Sequence, residues 1–196
     1  NKPVSVFNSY TFILEQFNSW NFGGTYLGSG GHLAFKSQFR NNWNFDINLI
    51  FRSQAVDTRM LRGGPDMIMP NSIRTFGKVM TDQSKKLILD FAYEYTKSGD
   101  GSATNYTFGP GVSVRPIQYL KVGVTANYAD NYDNLQYVTE ENYMSEKRYI
   151  LGTIDQRTLG LTFRLDLNIT PEFSVQYYGS PFVSMGKYSA FKKVTK

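Results

Sequence analysis

Between Leu159 and Ile169 every second residue is apolar: Leu159, Leu161, Phe163, Leu165, Leu167 and Ile169 alternate with Gly160, Thr162, Arg164, Asp166 and Asn168. No other feature of the chain restricts its fold as tightly. Successive side chains of a β-strand point to opposite faces, so this segment carries one oily face and one polar face along its whole length. Its extent also matches the ~9–11 residues that a tilted strand needs to cross a bilayer. The stretch is read as a transmembrane β-strand.

The same period recurs in Trp43–Phe51, Leu87–Tyr95, Tyr106–Val114 and Leu120–Tyr128. It is weaker in Val4–Phe17, where Tyr10, Phe12 and Leu14 share a face, in Leu33–Phe39, in Ile73–Thr81 and in a last strand begun by Phe173, Val175 and Tyr177 that breaks up at Gly179-Ser180-Pro181. About nine strands result. The connections near 40–42, 82–85, 116–118 and 170–172 are short, whereas those at 21–31, 53–72, 97–105 and 129–148 are long. Bacterial outer-membrane barrels have this asymmetry, with short periplasmic turns and longer external loops. The sequence thus predicts an all-β chain: a transmembrane antiparallel up-and-down β-barrel, with residues 1–196 forming part of one barrel domain.

The mean hydropathy of −0.38 does not oppose this reading. It excludes membrane helices, which need ~18 or more consecutive apolar residues, but half of each barrel strand faces a polar interior. The alternative is a soluble lipocalin-like barrel with its oily face inward. Three features favour lipid. Aromatic residues gather at both ends of the oily face: Phe39, Trp43, Tyr119 and Phe173 beside the short turns, and Tyr93, Tyr95, Tyr106 and Tyr128 towards the long loops. Rings of this kind prefer the headgroup zone. Gly109, Gly111, Gly123 and Gly160 fall on the polar face, where they leave room in a crowded lumen. The oily face carries no charge between the two belts, as expected where a midplane Lys or Arg costs roughly 2–4 kcal/mol.

At Leu61-Arg62-Gly63-Gly64-Pro65, and again across Arg148–Phe191, the chain resembles a family of Bacteroidota outer-membrane proteins of unknown function. In that family a β-barrel usually follows a carbohydrate-binding family-nine-like domain. The resemblance implies an outer-membrane location and a link to glycans. It also implies an amino-terminal binding domain and strands beyond Lys196 that this sequence does not include. Nine strands is an odd number, and bacterial single-chain barrels are even, so the chain is read as an internal fragment of a barrel of roughly 14 strands.

Little points to catalysis or to a cofactor. The net charge of +5 is spread among acids without a basic block, which argues against nucleic acid. Cysteine is absent, and the single histidine, His32, is read as a loop-edge residue without metal partners. The neighbouring Ser29 and Ser37 lack a nucleophile-elbow context, so an outer-membrane hydrolase is the least favoured reading. Asn1-Lys2-Pro3 begins without a secretory signal pattern; of the two matches to the glycosylation sequon, that at Asn105 is read as coincidental and that at Asn168 lies at a strand end. Asp90 and Glu94 share one strand face about 13 Å apart, too far for a glycosidase pair. They are instead expected in a lumen network with Arg115, Lys121, Arg164 and Asp166, whose mixed signs predict no ion preference. Two glycines in Arg62-Gly63-Gly64-Pro65 permit a sharp bend that either turns Arg62 into the lumen or forms a rigid external turn. The expected function is a non-enzymatic outer-membrane pore, or a platform in an envelope assembly related to glycans or export. Its expected partners are outer-membrane lipid, lipopolysaccharide and other envelope proteins or glycans.

Overall fold

A computed structural model describes residues 6–144 and 146–194. It contains twelve β-strands and, among the described residues, no helix. They are β1 (Phe7–Trp20), β2 (Tyr26–Phe39), β3 (Asn44–Arg52), β4 (Ala55–Asp57), β5 (Met67–Met69), β6 (Ser72–Met80), β7 (Leu87–Ser98), β8 (Ala103–Ile117), β9 (Leu120–Tyr143), β10 (Glu146–Thr170), β11 (Phe173–Gly179) and β12 (Phe182–Lys193). One antiparallel meander runs β1-β2-β3-β6-β7-β8-β9-β10-β11, with β12 also paired to β10, while β4 and β5 form a separate ribbon. The sheet is open, with β1 at one edge and β11 and β12 at the other.

The nine expected strands correspond to the nine lateral positions of this sheet, with changed bounds. The Val4 start expected for the first strand lies outside the described residues. The last position is one strand in two pieces, since Leu165 pairs Tyr177 of β11 and Leu159 pairs Val183 of β12. Pro181 lies in the break, where the absence of an N–H and a fixed φ interrupt a ladder. Pro116 is not in a turn as expected but within β8, at a register shift between Val114 and Ile117.

Register converts alternation along each strand into rows across the sheet. Phe12, Phe35 and Ile47 begin one such row, which Gly77, Tyr93, Phe108, Tyr128, Leu159 and Val183 continue across the sheet. Among the described residues this face has no ionic side chain between the aromatic belts, whereas Asp130 and Arg157 lie level with Tyr95 and Tyr106 in the belt at the long-loop end and Asp155 lies beyond it. The two faces are unequally enclosed. Ala34, Asn48 and Ile88 on the polar face are 3–5% exposed, while their oily-face neighbours Leu33, Leu49, Leu87 and Leu89 are 38–52% exposed. A flat open sheet would expose both alike, so this one curls towards its polar side.

Three connections expected to be long loops are largely strand. Residues 26–31 belong to β2 despite Gly28, Gly30 and Gly31, which leaves a short turn at 21–25. The polar loop at 97–105 shrinks to the turn 99–102. The stretch 129–148 is not a connection: β9 and β10 continue as a paired hairpin past the rest of the sheet to a tip at Tyr143 and Glu146. Only 53–71 remains an excursion, and it carries the β4–β5 ribbon. One end of the sheet is still closed by brief turns, and the other bears a ribbon and a projecting hairpin.

Candidate functional site

The polar face brings together most of the residues singled out by sequence, but in a different pairing. Glu94 accepts from Arg74 at 2.8 Å, and Asp90 pairs with Lys78 at 3.1 Å. Both cations come from β6, whose register opposite β7 fixes the match. The expected partners lie elsewhere. Arg115, near the end of β8, donates to the Gln83 carbonyl in the turn between β6 and β7, and so secures the short-turn rim. Lys121, Arg164 and Asp166 form a second group, on β9 and β10. Arg74 and Lys78 were missed because β6 alternates poorly. Their signal was present: Arg74 and Lys78, four apart, face Glu94 and Asp90, four apart, in antiparallel order.

His32 is in β2, not at a loop edge. Its Nδ1 lies 2.8 Å from Glu15 Oε2 and its Nε2 lies 3.0 Å from Asn48 Oδ1, so one imidazole links three strands. Asn48 in turn donates to Asp46 at 3.4 Å. This is a structural cross-link with one carboxylate, not a metal set. The polar face is therefore tied laterally by side chains from β1 to β3 and again from β6 to β7, as well as by backbone.

The polar-face glycines have a specific use. A Cβ on Gly111 would stand 2.5 Å from Asp90 Oδ1, one on Gly109 2.9 Å from Asn127 Oδ1, and one on Gly123 2.8 Å from Ser113 Oγ. Each glycine gives a cross-strand polar side chain space to lie flat on the sheet. Gly160 differs, since the nearest atom to a Cβ there is 3.7 Å away.

The excursion 53–71 folds across to the β9–β10 hairpin. Leu61 is buried with Tyr149 and Leu151, and Met60, Met67, Leu135 and Tyr137 pack around them. Arg62 and Gly63 have φ of 51° and 106°, the left-handed bend that glycine favours, and Gly64 abuts the Tyr149 ring. The Arg62 guanidinium lies 5.0 Å from the Tyr137 ring centroid. The loop thus holds Arg62 on the hairpin and not beside Asp90 or Glu94. On the hairpin, Lys147 and Glu140 pair at 2.8 Å, which holds the ammonium above its ordinary pKa.

The match to known proteins covers the whole chain. Residues 1–196 match the family described as "Domain of unknown function (DUF5916)", and the chain belongs to that family. No curated protein and no solved structure matches it.

Proposed function

We propose that this DUF5916 chain forms the wall of a bacterial outer-membrane β-barrel, with its oily face towards lipid and its polar face lining water. The observation that carries this reading is the inverted enclosure of the sheet. The uncharged, leucine- and phenylalanine-rich face is the exposed one, and the ion-paired face is the one the sheet curls around. In water that arrangement would leave a far larger apolar surface than soluble monomers carry. In a bilayer it satisfies both solvents. The open edges at β1 and at β11 and β12 present unpaired backbone groups, which lipid does not tolerate. Closure therefore brings additional strands between those edges.

Within this reading the barrel is non-enzymatic and acts as a pore, because ion pairs and hydroxyls line its polar face as they would line a water-filled passage. A second role, as a platform in an envelope assembly handling glycans or export, is favoured by the β9–β10 hairpin, which projects past the body with Tyr143 and Met144 exposed. The soluble lipocalin-like alternative requires the curl to be the other way.

The test uses the full-length protein in its native membrane. Resistance to carbonate extraction and a faster gel mobility before boiling are expected. Complete extraction with no shift on boiling would sink the barrel. Discrete conductance steps in a planar bilayer support the pore, and a silent bilayer with a stably co-purifying envelope protein supports the platform.

A further inference from the structure

We infer that the furrow between Lys121 and Arg164 binds a small oxyanion, a carboxylate or phosphate group carried by a solute. This site deepens the barrel reading and rests on it for its aqueous setting. The furrow has a volume of about 260 Å³ and lies on the polar face near the short turns, floored by Gly123 and walled by Ser113, Thr125, Thr162, Lys121 and Arg164. At ~30 Å³ per water it holds about eight waters, enough for a phosphate or a sugar acid's carboxylate with part of its shell.

Its charge distribution separates it from the rest of the face. On β6 and β7 each carboxylate has its cation, Arg74 with Glu94 and Lys78 with Asp90. In the furrow two cations accompany one acid, Asp166. Asp166 is opposite Lys121 in register, yet among the described residues it makes no ion pair within 4.0 Å with either cation. The Arg164 guanidinium carbon lies over the Tyr178 ring, 5.7 Å from its centroid. A guanidinium set against an aromatic ring, with no carboxylate in ion-pair range, keeps N–H donors for a planar or tetrahedral oxyanion through charge-assisted bonds.

The hydroxyls complete the lining. Thr162 shares a hydrogen bond with Ser180 at 3.2 Å on the outer side. Ser113 sits over Gly123, whose missing Cβ lets the serine lie against the floor. A neutral sugar would meet the same hydroxyls but would leave the furrow's excess positive charge, two cations against Asp166, uncompensated, so the site selects the anion.

The test is calorimetric titration of the full-length protein, reconstituted in lipid nanodiscs, with inorganic phosphate, glucuronate and glucose. Phosphate, glucuronate or both should bind, and glucose should not; which anion binds identifies the source of the group. Arg164→Gln and Lys121→Gln should each weaken binding at least tenfold, Arg164→Lys should restore most of it, and Lys78→Gln, whose cation is already paired, should leave it unchanged. Equal binding of glucose, indifference to both glutamine variants, or no anion binding by protein that still shows heat-modifiable mobility would overturn the site. Protein that lacks the mobility shift but binds anion with the same dependence would overturn the barrel and leave the site standing.

Discussion

Leu161 and Thr162 are adjacent in β10, yet one belongs to a face without charge between its aromatic belts and the other to a face crossed by ion pairs and hydroxyl contacts. The polar face is fastened from strand to strand by Glu15, His32 and Asn48, by Arg74 and Glu94, and by Thr162 and Ser180. The oily face has van der Waals contacts between neighbours, such as the tilted Phe12 and Phe35 rings 4.8 Å apart, and nothing covers it. The buried cluster around Leu61 belongs to the excursion and hairpin, not to the sheet body. Among the described residues the sheet body therefore has no buried apolar cluster of its own: backbone ladders and polar cross-links hold it, and on the proposed reading lipid takes up the oily face.

The largest effect that separates the faces should come from charge. Leu161→Arg should destabilise the protein in vesicles by roughly 2–4 kcal/mol, while Thr162→Arg should lie near zero, read from urea unfolding monitored by gel mobility. Equal tolerance would break the comparison. Leu61→Ala should cost about 2–4 kcal/mol, but locally: hydrogen exchange should rise in the 53–71 excursion and leave β2, β3 and β7 unchanged. Gly111→Ala should displace the Asp90 carboxylate and weaken its pair with Lys78, whereas Gly160→Ala should be nearly silent, since only the former meets an atom at 2.5 Å. Comparing the two Asp90 carboxyl resonances by NMR checks this.

Smaller effects come from exposed groups. A double-mutant cycle on Arg74 and Glu94 should give a coupling of at most about 1 kcal/mol, because both side chains are over a third exposed. At the short-turn rim, backbone and side-chain bonds from Ser84 hold Asp82 below its ordinary pKa of 3.8. A depressed carboxylate contributes stability above its unfolded value and loses it as pH falls through the folded one. The protection factor of the Ser84 amide, its exchange relative to the intrinsic rate at each pH, should fall on acidification below about pH 4, and Asp82→Asn should remove that dependence.

How much of this was legible in the chain varied with what each strand faces. Leu159–Ile169 was plain because every second side chain must satisfy one solvent. In β6 the oily-face positions include Thr75 and Gly77, so alternation fades; the Tyr93 ring covers Gly77 and the Tyr93 hydroxyl meets Thr75 at 3.0 Å, contacts that only register reveals. The outer half of β9 read as a polar loop because its Leu135 and Tyr137 pack against the distant Leu61 excursion, a contact that local alternation does not reveal. The glycines of β2 suggested a loop although Phe17 packs onto Gly30, a position where a Cβ would meet the ring. For the candidate site, Asp90, Glu94, Lys121, Arg164 and Asp166 were identified with their face, but their division into a paired set and an anion-poor set depends on which strands are neighbours.

The most direct test of the account asks each residue of β10 which solvent it meets. The chain contains no cysteine, so single substitutions from Leu159→Cys to Leu167→Cys can each carry one nitroxide label in protein reconstituted into vesicles. Collision with dissolved oxygen should peak at 159, 161, 163, 165 and 167, and collision with a water-soluble nickel chelate should peak at 160, 162, 164 and 166. A reversed phase, or equal access of the chelate to both sets, would contradict the assignment of the oily face to lipid.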